Sequence, residues 1–479
     1  MFEKVFKLKS NGTTVRTELM AGLTTFMTMA YIIALNPNLL TDFGAEGTEL
    51  WNGVFMATCI ASAVGMFCMA FIANKPFALA PGMGLNSFFA VVVGNIVTMT
   101  GMSYVESFQS ALIIILVEGI VFIVLSLFNV REKIVESIPL GIRLGISPAI
   151  GLMLMNIGLG SNVSIYAAGN NFETPFFVMR DFFGALTPSV LQTAMGAEGY
   201  ATMILSTITM FVGLFVIIAM DKKGVKGAVL IGMLVASVVY WAGSFLFLNT
   251  NPFASLATAS FLPPVKDMVD TTLFKFNFAG FMEIGWFTII TLVITFCIID
   301  MFDTIGTLVG TASRAGMVDE NGNMPNMKEA LLSDAIATVA GACTGTSTVT
   351  TFVESASGVE AGGRTGLTAL ATGVLFLACI FIAPIAAIIP AAATSSALIY
   401  VGVLMLQGLS KVDFKDMDQM VPVFLMLLAM PVSGSIGHGI GLGLIAYTII
   451  KIFSGKFKEV SILTYVISAL FIVKFFLVV

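Results

Sequence analysis

The sequence has very little charge and a single histidine. Lysine, arginine, aspartate and glutamate together make up 11% of its 479 residues, against about a quarter in an ordinary soluble domain. A water-soluble fold of this length is therefore excluded, because its surface would need many more polar side chains. The lone histidine, His438, leaves little basis for catalysis that depends on histidine.

Cysteine is also scarce, with five residues that all lie inside apolar stretches. None has a partner at metal-binding spacing, so neither a disulfide framework nor a zinc site is expected. The first 18 residues are polar and carry four basic side chains, so we expect no cleavable signal peptide. With no clear nucleophile or metal set, we do not expect an enzyme.

The chain instead has long hydrophobic blocks, and 57% of its residues are hydrophobic. The blocks are close to the length that spans a hydrocarbon core of ~30 Å as a helix. They predict an all-α polytopic membrane protein with fourteen transmembrane segments, at 19–41, 51–73, 77–96, 107–128, 138–159, 199–220, 227–248, 284–310, 329–344, 347–360, 365–389, 391–409, 419–435 and 437–453. A further block at 460–478 is either an extra span or an interfacial helix.

The distribution of basic residues predicts the orientation of the chain. Loops on the same side as the N-terminus carry Lys75, Arg131 and Lys133, whereas the opposite loops 42–49 and 97–106 carry acids. By the positive-inside rule the N-terminus is cytoplasmic. We therefore expect a multi-pass protein of the plasma (inner) membrane.

An internal repeat relates the two halves of the sequence. PGMGLNS at 81–87 corresponds in position to VTTFVES at 349–355, and the segment 139–156 reads like 390–407. Seven spans in each half place the second copy upside down, as in secondary transporters whose substrate site lies near the bilayer midplane. The alternative is chance similarity among apolar helices.

Two predicted spans, the third and the tenth, are too polar to be plain helices. The third contains Pro81 and Gly82, and the tenth contains the β-branched run 348–351 before Glu354. Both patterns predict a short extended stretch followed by a half-helix, which a membrane tolerates only where protein or a cavity surrounds it. The alternative is a kink at a site of tight packing.

Four acids lie inside apolar spans: Glu118, Asp300, Asp303 and Glu354. A charged acid at the bilayer centre costs about 2.5–3.5 kcal/mol or more, so it persists where it binds a ligand, forms hydrogen bonds or takes up a proton. Asp300 and Glu354 are the best candidates for ligand contact. For Asp303 a structural role is as plausible, and for Glu118 a structural hydrogen bond is favoured.

The repeat adds an amide to this set, because Asn86 occupies the repeat position of Glu354. A carboxylate and an amide together offer both acceptors and donors, which matches a planar heterocycle with N–H and C=O edges. Ala30 occupies the repeat position of Asp300, so the two halves differ at the site itself.

Several segments resemble the nucleobase–cation symporters, and specifically their hypoxanthine/guanine/adenine permease branch, which is related to the fungal azaguanine-type purine transporters. The resemblance covers essentially the whole chain. The segments are TELMAGLTTFMTMAYIIALNP at 17–37, ALAPGMGLNSFFA at 78–90, FCIIDMFDTIGTLVG at 296–310 and GTSTVTTFVESASGVEAGGRTGLTAL at 345–370.

The resemblance implies fourteen spans arranged as a 7+7 inverted repeat with core and gate domains. The core would comprise residues 1–130 and 283–389, the gate would comprise 131–282 and 390–459, and 460–479 would be an extra C-terminal helix. It further implies proton symport of a purine nucleobase, an elevator-type motion of the core against the gate, and a homodimer formed through the gate. No cofactor other than the co-transported proton, no metal and no nucleic acid partner is implied.

The resemblance also implies a set of site residues. Asp300 and Glu354 would hydrogen-bond the base. Asp303 would act together with these two acids in proton coupling. The substrate-binding residues would be Leu85, Asn86, Asp300, Phe352, Val353 and Glu354. The alternatives are a carrier of another small planar or anionic solute on the same fold, a channel, and a membrane enzyme.

Overall fold

The computed structural model describes residues 2–42, 46–128, 138–160, 193–257, 259–314, 317, 324–433 and 436–477. The basic residues Arg131 and Lys133 and the predicted core–gate boundary at 130 and 131 lie outside this described part.

Helices make up most of the described chain, as expected where the bilayer offers backbone groups no water to bond. The α-helices are α1 (Phe2–Phe6), α2 (Val15–Met29), α3 (Ile32–Leu40), α4 (Thr48–Cys68), α5 (Met83–Thr100), α6 (Tyr104–Leu127), α7 (Leu140–Leu159), α8 (Thr193–Lys222), α9 (Ala228–Phe247), α10 (Val265–Thr271), α11 (Phe278–Glu283), α12 (Trp286–Arg314), α13 (Met327–Thr344), α14 (Ser355–Glu360), α15 (Gly366–Ala378), α16 (Ala383–Ala387), α17 (Ala391–Met405), α18 (Met417–Ser433), α19 (Ile436–Phe453) and α20 (Ile462–Leu477). A π-helical turn, Met69–Ala73, extends α4, and short 3₁₀ turns occupy Ala254–Ala257, Cys379–Ile382, Leu406–Lys411 and Phe457–Glu459. The strands are β1 (Leu79–Pro81) and β2 (Val349–Thr351).

Eleven helical segments of the described chain are long and apolar enough to cross a membrane. They are Val15–Leu40, Thr48–Ala73, Met83–Thr100, Tyr104–Leu127, Leu140–Leu159, Gly196–Lys222, Ala228–Phe247, Trp286–Ile305, Gly366–Ala387, Ala391–Lys411 and Ile436–Phe453. The chain is therefore a helical polytopic membrane protein, as predicted. Of the other three predicted spans, the ninth is the more polar helix α13, the tenth is a strand with a short helix, and the thirteenth is the 17-residue helix α18.

The first and the eleventh predicted spans each consist of two α-helices. In the first, α2 ends at Met29 and α3 begins at Ile32, and the backbone between them forms tighter bonds from Ile33 N to Ala30 O and from Ala34 N to Tyr31 O. In the eleventh, a 3₁₀ turn separates α15 from α16, whose first turn contains a proline that cannot donate the bond of a continuous helix.

The extended stretches predicted in the third and tenth spans are confirmed, because they form an antiparallel pair. Leu79 lies opposite Thr351, and Pro81 lies opposite Val349. Every residue of both strands is buried. Each strand thus supplies the hydrogen-bond partners that the other lacks within the membrane.

The prediction of a half-helix after each strand is confirmed for α14, which has six residues, but wrong for α5, which continues for 18 residues. The residues that follow the first turn of α5 are mostly apolar and contain no proline, so nothing stops this helix before Gly101.

The helices pack as two groups. In one group α2 contacts α14 and α15, while α4 and α6 both contact α13. In the other, α7 contacts α17 and α18, and α8 contacts α9 and α17. The C-terminal helix α20 packs mainly on α19 and also touches α12.

Candidate functional site

The paired strands bring the starts of α5 and α14 close to the middle of α12. The backbone nitrogen of Gly82 donates to Thr348 O at 3.1 Å, which continues the strand pairing towards α5. A Cβ atom built on Gly82 would lie 2.6 Å from Thr350 Cγ2 and 3.5 Å from Asp303 Oδ2. Glycine is therefore required here by the close approach of three elements.

Asp300 belongs to a buried cluster of polar side chains from α12, α13 and β2. Thr304 Oγ1 lies 2.9 Å from Asp300 Oδ1, 3.0 Å from Asp334 Oδ2 and 2.7 Å from Thr350 Oγ1. The backbone nitrogen of Thr351 donates to Asp334 Oδ1 at 3.1 Å. Asp334 therefore bonds β2 directly, and Asp300 is linked to β2 through the hydroxyl of Thr304.

The hydroxyl of Thr304 has a single proton, which limits how many hydrogen bonds it can donate within this cluster. A threonine hydroxyl has one proton and two acceptor positions, so it donates to only one of Asp300 and Asp334 at a time. It accepts from Thr350 or from the other acid. For both carboxyl contacts to be hydrogen bonds at once, one of the two acids must carry a proton of its own.

Glu354 lies directly before α14, where it is only partly buried. Its Oε1 atom accepts a hydrogen bond of 2.7 Å from the hydroxyl of Tyr31, a residue that is fully buried between α2 and α3. Phe352 is 6% exposed, whereas the side chain of Val353 is 57% exposed. The two neighbours predicted to line the site therefore face different surroundings.

Asp303 lies near enough to both Asp300 and Glu354 to interact with each of them electrostatically. The structure therefore brings the three predicted acids into one region, although they come from α12 and from the start of α14. Asp303 is partly buried, while Asp300 is fully buried.

Asn86 and Leu85 are buried in the first turns of α5. The amide nitrogen of Asn86 donates to Pro81 O at 3.1 Å, and its oxygen accepts a hydrogen bond from the hydroxyl of Ser347. The predicted correspondence of Asn86 with Glu354 is not seen in the helix positions. Glu354 precedes α14, but Asn86 follows the start of α5, because three residues separate β2 from its helix and only Gly82 separates β1 from α5.

Glu118, the fourth acid, is buried in the middle of α6 and contacts the residue directly before β2. Its Oε2 atom accepts a hydrogen bond of 2.7 Å from Thr348 Oγ1. This contact agrees with the structural hydrogen bond favoured from the sequence. Among the described residues, no group of three or more His, Cys, Asp or Glu side chains is arranged to hold a metal ion.

Sequence reasoning missed several polar residues of this region, notably Tyr31, Thr304 and Asp334. Tyr31 gave no signal because one tyrosine in an apolar span is ordinary. Asp334 gave little signal, because an acid close to the polar start of a span is ordinary. The spacing of Asp300 and Thr304, one helical turn apart, was a signal that could have linked them.

Comparison with known proteins identifies the chain. A family model for xanthine/uracil permeases, described as a permease family, matches residues 16–433. The protein belongs to the xanthine/uracil permease family. The predicted resemblance to nucleobase transporters is therefore confirmed, and the permease is a multi-pass membrane transport protein.

Three relatives of the permease are each 37% identical to it. They are adenine permease AdeP of Escherichia coli, over 99% of this chain and 96% of the relative; guanine/hypoxanthine permease PbuO of Bacillus subtilis, over 99% and 100%; and putative permease MJ0326 of Methanocaldococcus jannaschii, over 99% and 98%. These relatives are named as permeases, not enzymes.

Solved structures share the fold of the permease at low sequence identity. The transmembrane domain of the cyanobacterial bicarbonate transporter BicA aligns with a TM-score of 0.60 and 17% identity, over 90% of this chain and 97% of that one. The anion transporter SLC26A9 aligns with a TM-score of 0.61 and 10% identity, over 92% and 66%. At these identities the comparison concerns the fold alone.

Proposed function

We propose that the permease imports purine nucleobases, such as adenine, guanine or hypoxanthine, by proton symport. The observation that carries the proposal is the convergence of Asp300, Asp303 and Glu354 beside the paired strands. The names of the adenine and guanine/hypoxanthine permeases, which align with nearly the whole chain, support a purine as the substrate.

The chemistry of the site suits a purine ring. Carboxylates accept hydrogen bonds from the N–H groups of a base, and the amide of Asn86 can both donate and accept. Leu85 and Phe352, which are both buried, are the apolar residues proposed to contact the ring faces. The Asn86 amide bonds Pro81 through one N–H and Ser347 through one lone pair of its oxygen, so its second N–H and second lone pair allow contact with a base while both bonds persist.

Proton coupling is supported by the cluster around Thr304. The single hydroxyl proton cannot complete the contacts to Asp300 and Asp334 together, so the cluster has a place for one further proton. Asp300, Asp303 and Glu354 are the proposed coupling acids, since their repulsion is relieved when one of them is protonated.

We also propose the architecture implied by the family resemblance. It comprises fourteen spans in a 7+7 inverted repeat, a core that moves like an elevator against a gate, a homodimer formed through the gate, a cytoplasmic N-terminus and a C-terminal helix beyond the repeat. The division of the helices into two packing groups and the antiparallel pairing of β1 with β2 support this arrangement.

The decisive experiment measures binding and uptake with the purified full-length protein. Adenine, guanine, hypoxanthine, xanthine and uracil are titrated by calorimetry, and uptake into proteoliposomes is followed with and without an acidic-outside pH gradient. We expect binding of at least one purine and accumulation only with the gradient. Binding of none of these bases would overturn the substrate, and equal accumulation driven by sodium without a pH gradient would overturn the coupling ion.

A further inference from the structure

Tyr31 is a buried tyrosine whose hydroxyl contacts an acid of the proposed site. It lies where α2 gives way to α3, and its side chain is among the largest fully buried ones of the described chain. A buried tyrosine hydroxyl needs a hydrogen-bond partner, and any backbone carbonyl can serve. Here the partner is Glu354 Oε1, at 2.7 Å, a length typical of a bond from a hydroxyl to a carboxylate.

The side chain of Glu354 makes no capping hydrogen bond to its own helix, although the residue occupies the position before α14. A glutamate has three side-chain torsions, and an unanchored acid would lose their freedom each time it bound a ligand. The bond to Tyr31 removes much of that freedom before the ligand arrives.

We propose that Tyr31 is a positioning residue of the base site, whose hydroxyl holds Glu354 Oε1 and leaves Oε2 to accept a hydrogen bond from the base. The inference rests on the proposed function, because it requires Glu354 to contact the substrate. Tyr31 and Glu354 both belong to the helix group that contains α2 and α14. The bond therefore lies within one packing group and does not have to break when the two groups move.

The first test compares Tyr31→Phe with Tyr104→Phe. Both changes remove one hydrogen-bonded hydroxyl and keep the ring, but Tyr104 is only partly buried and its hydroxyl donates to a backbone carbonyl, Leu40 O, at 2.9 Å. The Kd of the tightest-binding purine base is measured by calorimetry on the full-length protein, together with Tm without ligand. We expect the Kd to rise up to about tenfold in Tyr31→Phe, because the cost of ordering the Glu354 side chain then falls on ligand binding. Tyr104→Phe should change the Kd less than about twofold.

The second test is a double-mutant cycle with Glu354→Asp. The shorter acid withdraws the carboxylate from the hydroxyl of Tyr31, so Tyr31→Phe should add less than about twofold to the Kd of Glu354→Asp. The single variant Glu354→Asp leaves Tyr31 intact and should itself raise the Kd. If Tyr31→Phe does not fold, this variant still tests whether the Kd depends on the position of the carboxylate.

The transport parameters separate positioning from other roles. Positioning predicts a raised KM with a nearly unchanged maximal rate. Unchanged Kd in Tyr31→Phe, full additivity in the cycle, or loss of proton-driven accumulation at unchanged Kd would each overturn the proposal. If the wild-type protein binds purines and Tyr31→Phe binds them equally well, only the role of Tyr31 fails. If the wild type binds no purine base, the proposed function and this inference fail together.

Discussion

The site depends on a few polar side chains whose partners are other side chains of the protein. Asp300, Asp334 and Glu354 each hold at least one hydroxyl or backbone N–H group, which offsets part of the cost of burying an acid. The predicted acids were identifiable from the sequence because charge is rare in apolar spans. Their neutral partners Tyr31 and Thr304 were not, because hydroxyl groups are common in such helices.

Removing the charge of Glu354 should weaken substrate binding. In Glu354→Gln one acceptor oxygen becomes a donor, so we expect the Kd for the purine base to rise at least tenfold, or about 1.4 kcal/mol or more. Calorimetry measures it, and Glu360→Gln, at the exposed end of the same short helix, is the control. Wild-type affinity in Glu354→Gln would refute the assignment of this acid.

Asp300→Asn should uncouple uptake from the proton gradient. The amide cannot release or accept the shared proton in the cluster with Thr304, so accumulation under an acidic-outside gradient should fall more than about tenfold. The exposed acid Asp270 supplies the control variant Asp270→Asn. Accumulation that stays at the wild-type level in proteoliposomes would contradict a coupling role.

At the scale of elements, the strand pair was predictable but the helix that follows β1 was not. The run of β-branched residues at 348–351 and the Pro81–Gly82 pair both favour extended backbone. Nothing in the sequence distinguishes a half-helix from the 18 residues of α5, because apolar residues suit both. The interruption between α2 and α3 could not be predicted either. It changes the backbone hydrogen bonds around Ala30 and Tyr31, while both residues keep helical backbone angles.

Glu118 should act on the strand pair as a hydrogen-bond acceptor. Glu118→Gln keeps an acceptor for Thr348 Oγ1, so purine uptake should stay within about twofold of wild type. Glu118→Ala leaves this hydroxyl without its partner and opens a cavity, which should lower stability by about 2–4 kcal/mol. Thermal unfolding in detergent and uptake assays measure both. A Gln variant as impaired as Ala would indicate that the charge or proton of Glu118 is needed.

Glu18 should hold the start of α15 against α2. Its carboxylate accepts bonds from the backbone nitrogens of Arg364, Thr365 and Thr368 and a 2.6 Å bond from the Thr368 hydroxyl. Glu18→Ala should therefore destabilise the protein by about 2–4 kcal/mol, seen as a lower Tm. The exposed capping residue Glu106 serves as the comparison, and equal losses in Glu106→Ala would contradict the importance of burial.

At the scale of the whole molecule, the number of spans was easier to approximate than their arrangement. Hydropathy finds apolar helices of sufficient length, and most of the predicted segments correspond to such helices. The contacts between them depend on small residues spread over the chain. Gly151 and Gly402, on α7 and α17, approach so closely that a Cβ on either would lie 2.5 Å from the other's carbonyl oxygen.

The close contact between α7 and α17 at Gly151 and Gly402 allows a test of the proposed division into core and gate. Gly402→Val should force α7 and α17 apart and reduce uptake at least tenfold, because the gate no longer packs closely. The Kd for a purine base should change less than about twofold if the core alone forms the site. Parallel loss of binding, measured on folded protein by calorimetry, would contradict the division; Gly94→Ala, at a glycine with open space around it, is the control.

The pairing of β1 with β2 has a consequence for biogenesis. The two halves of the site are made far apart in time, since Ala78 and its partner Ser355 are separated by 277 residues. At synthesis rates of about 5–20 residues per second, the first strand waits roughly 15 to 55 seconds for the second. During that interval its backbone groups need a temporary partner, such as water, lipid headgroups or an insertion factor. A ribosome stalled between the halves would therefore leave an inserted but incomplete chain, a natural target for membrane quality control.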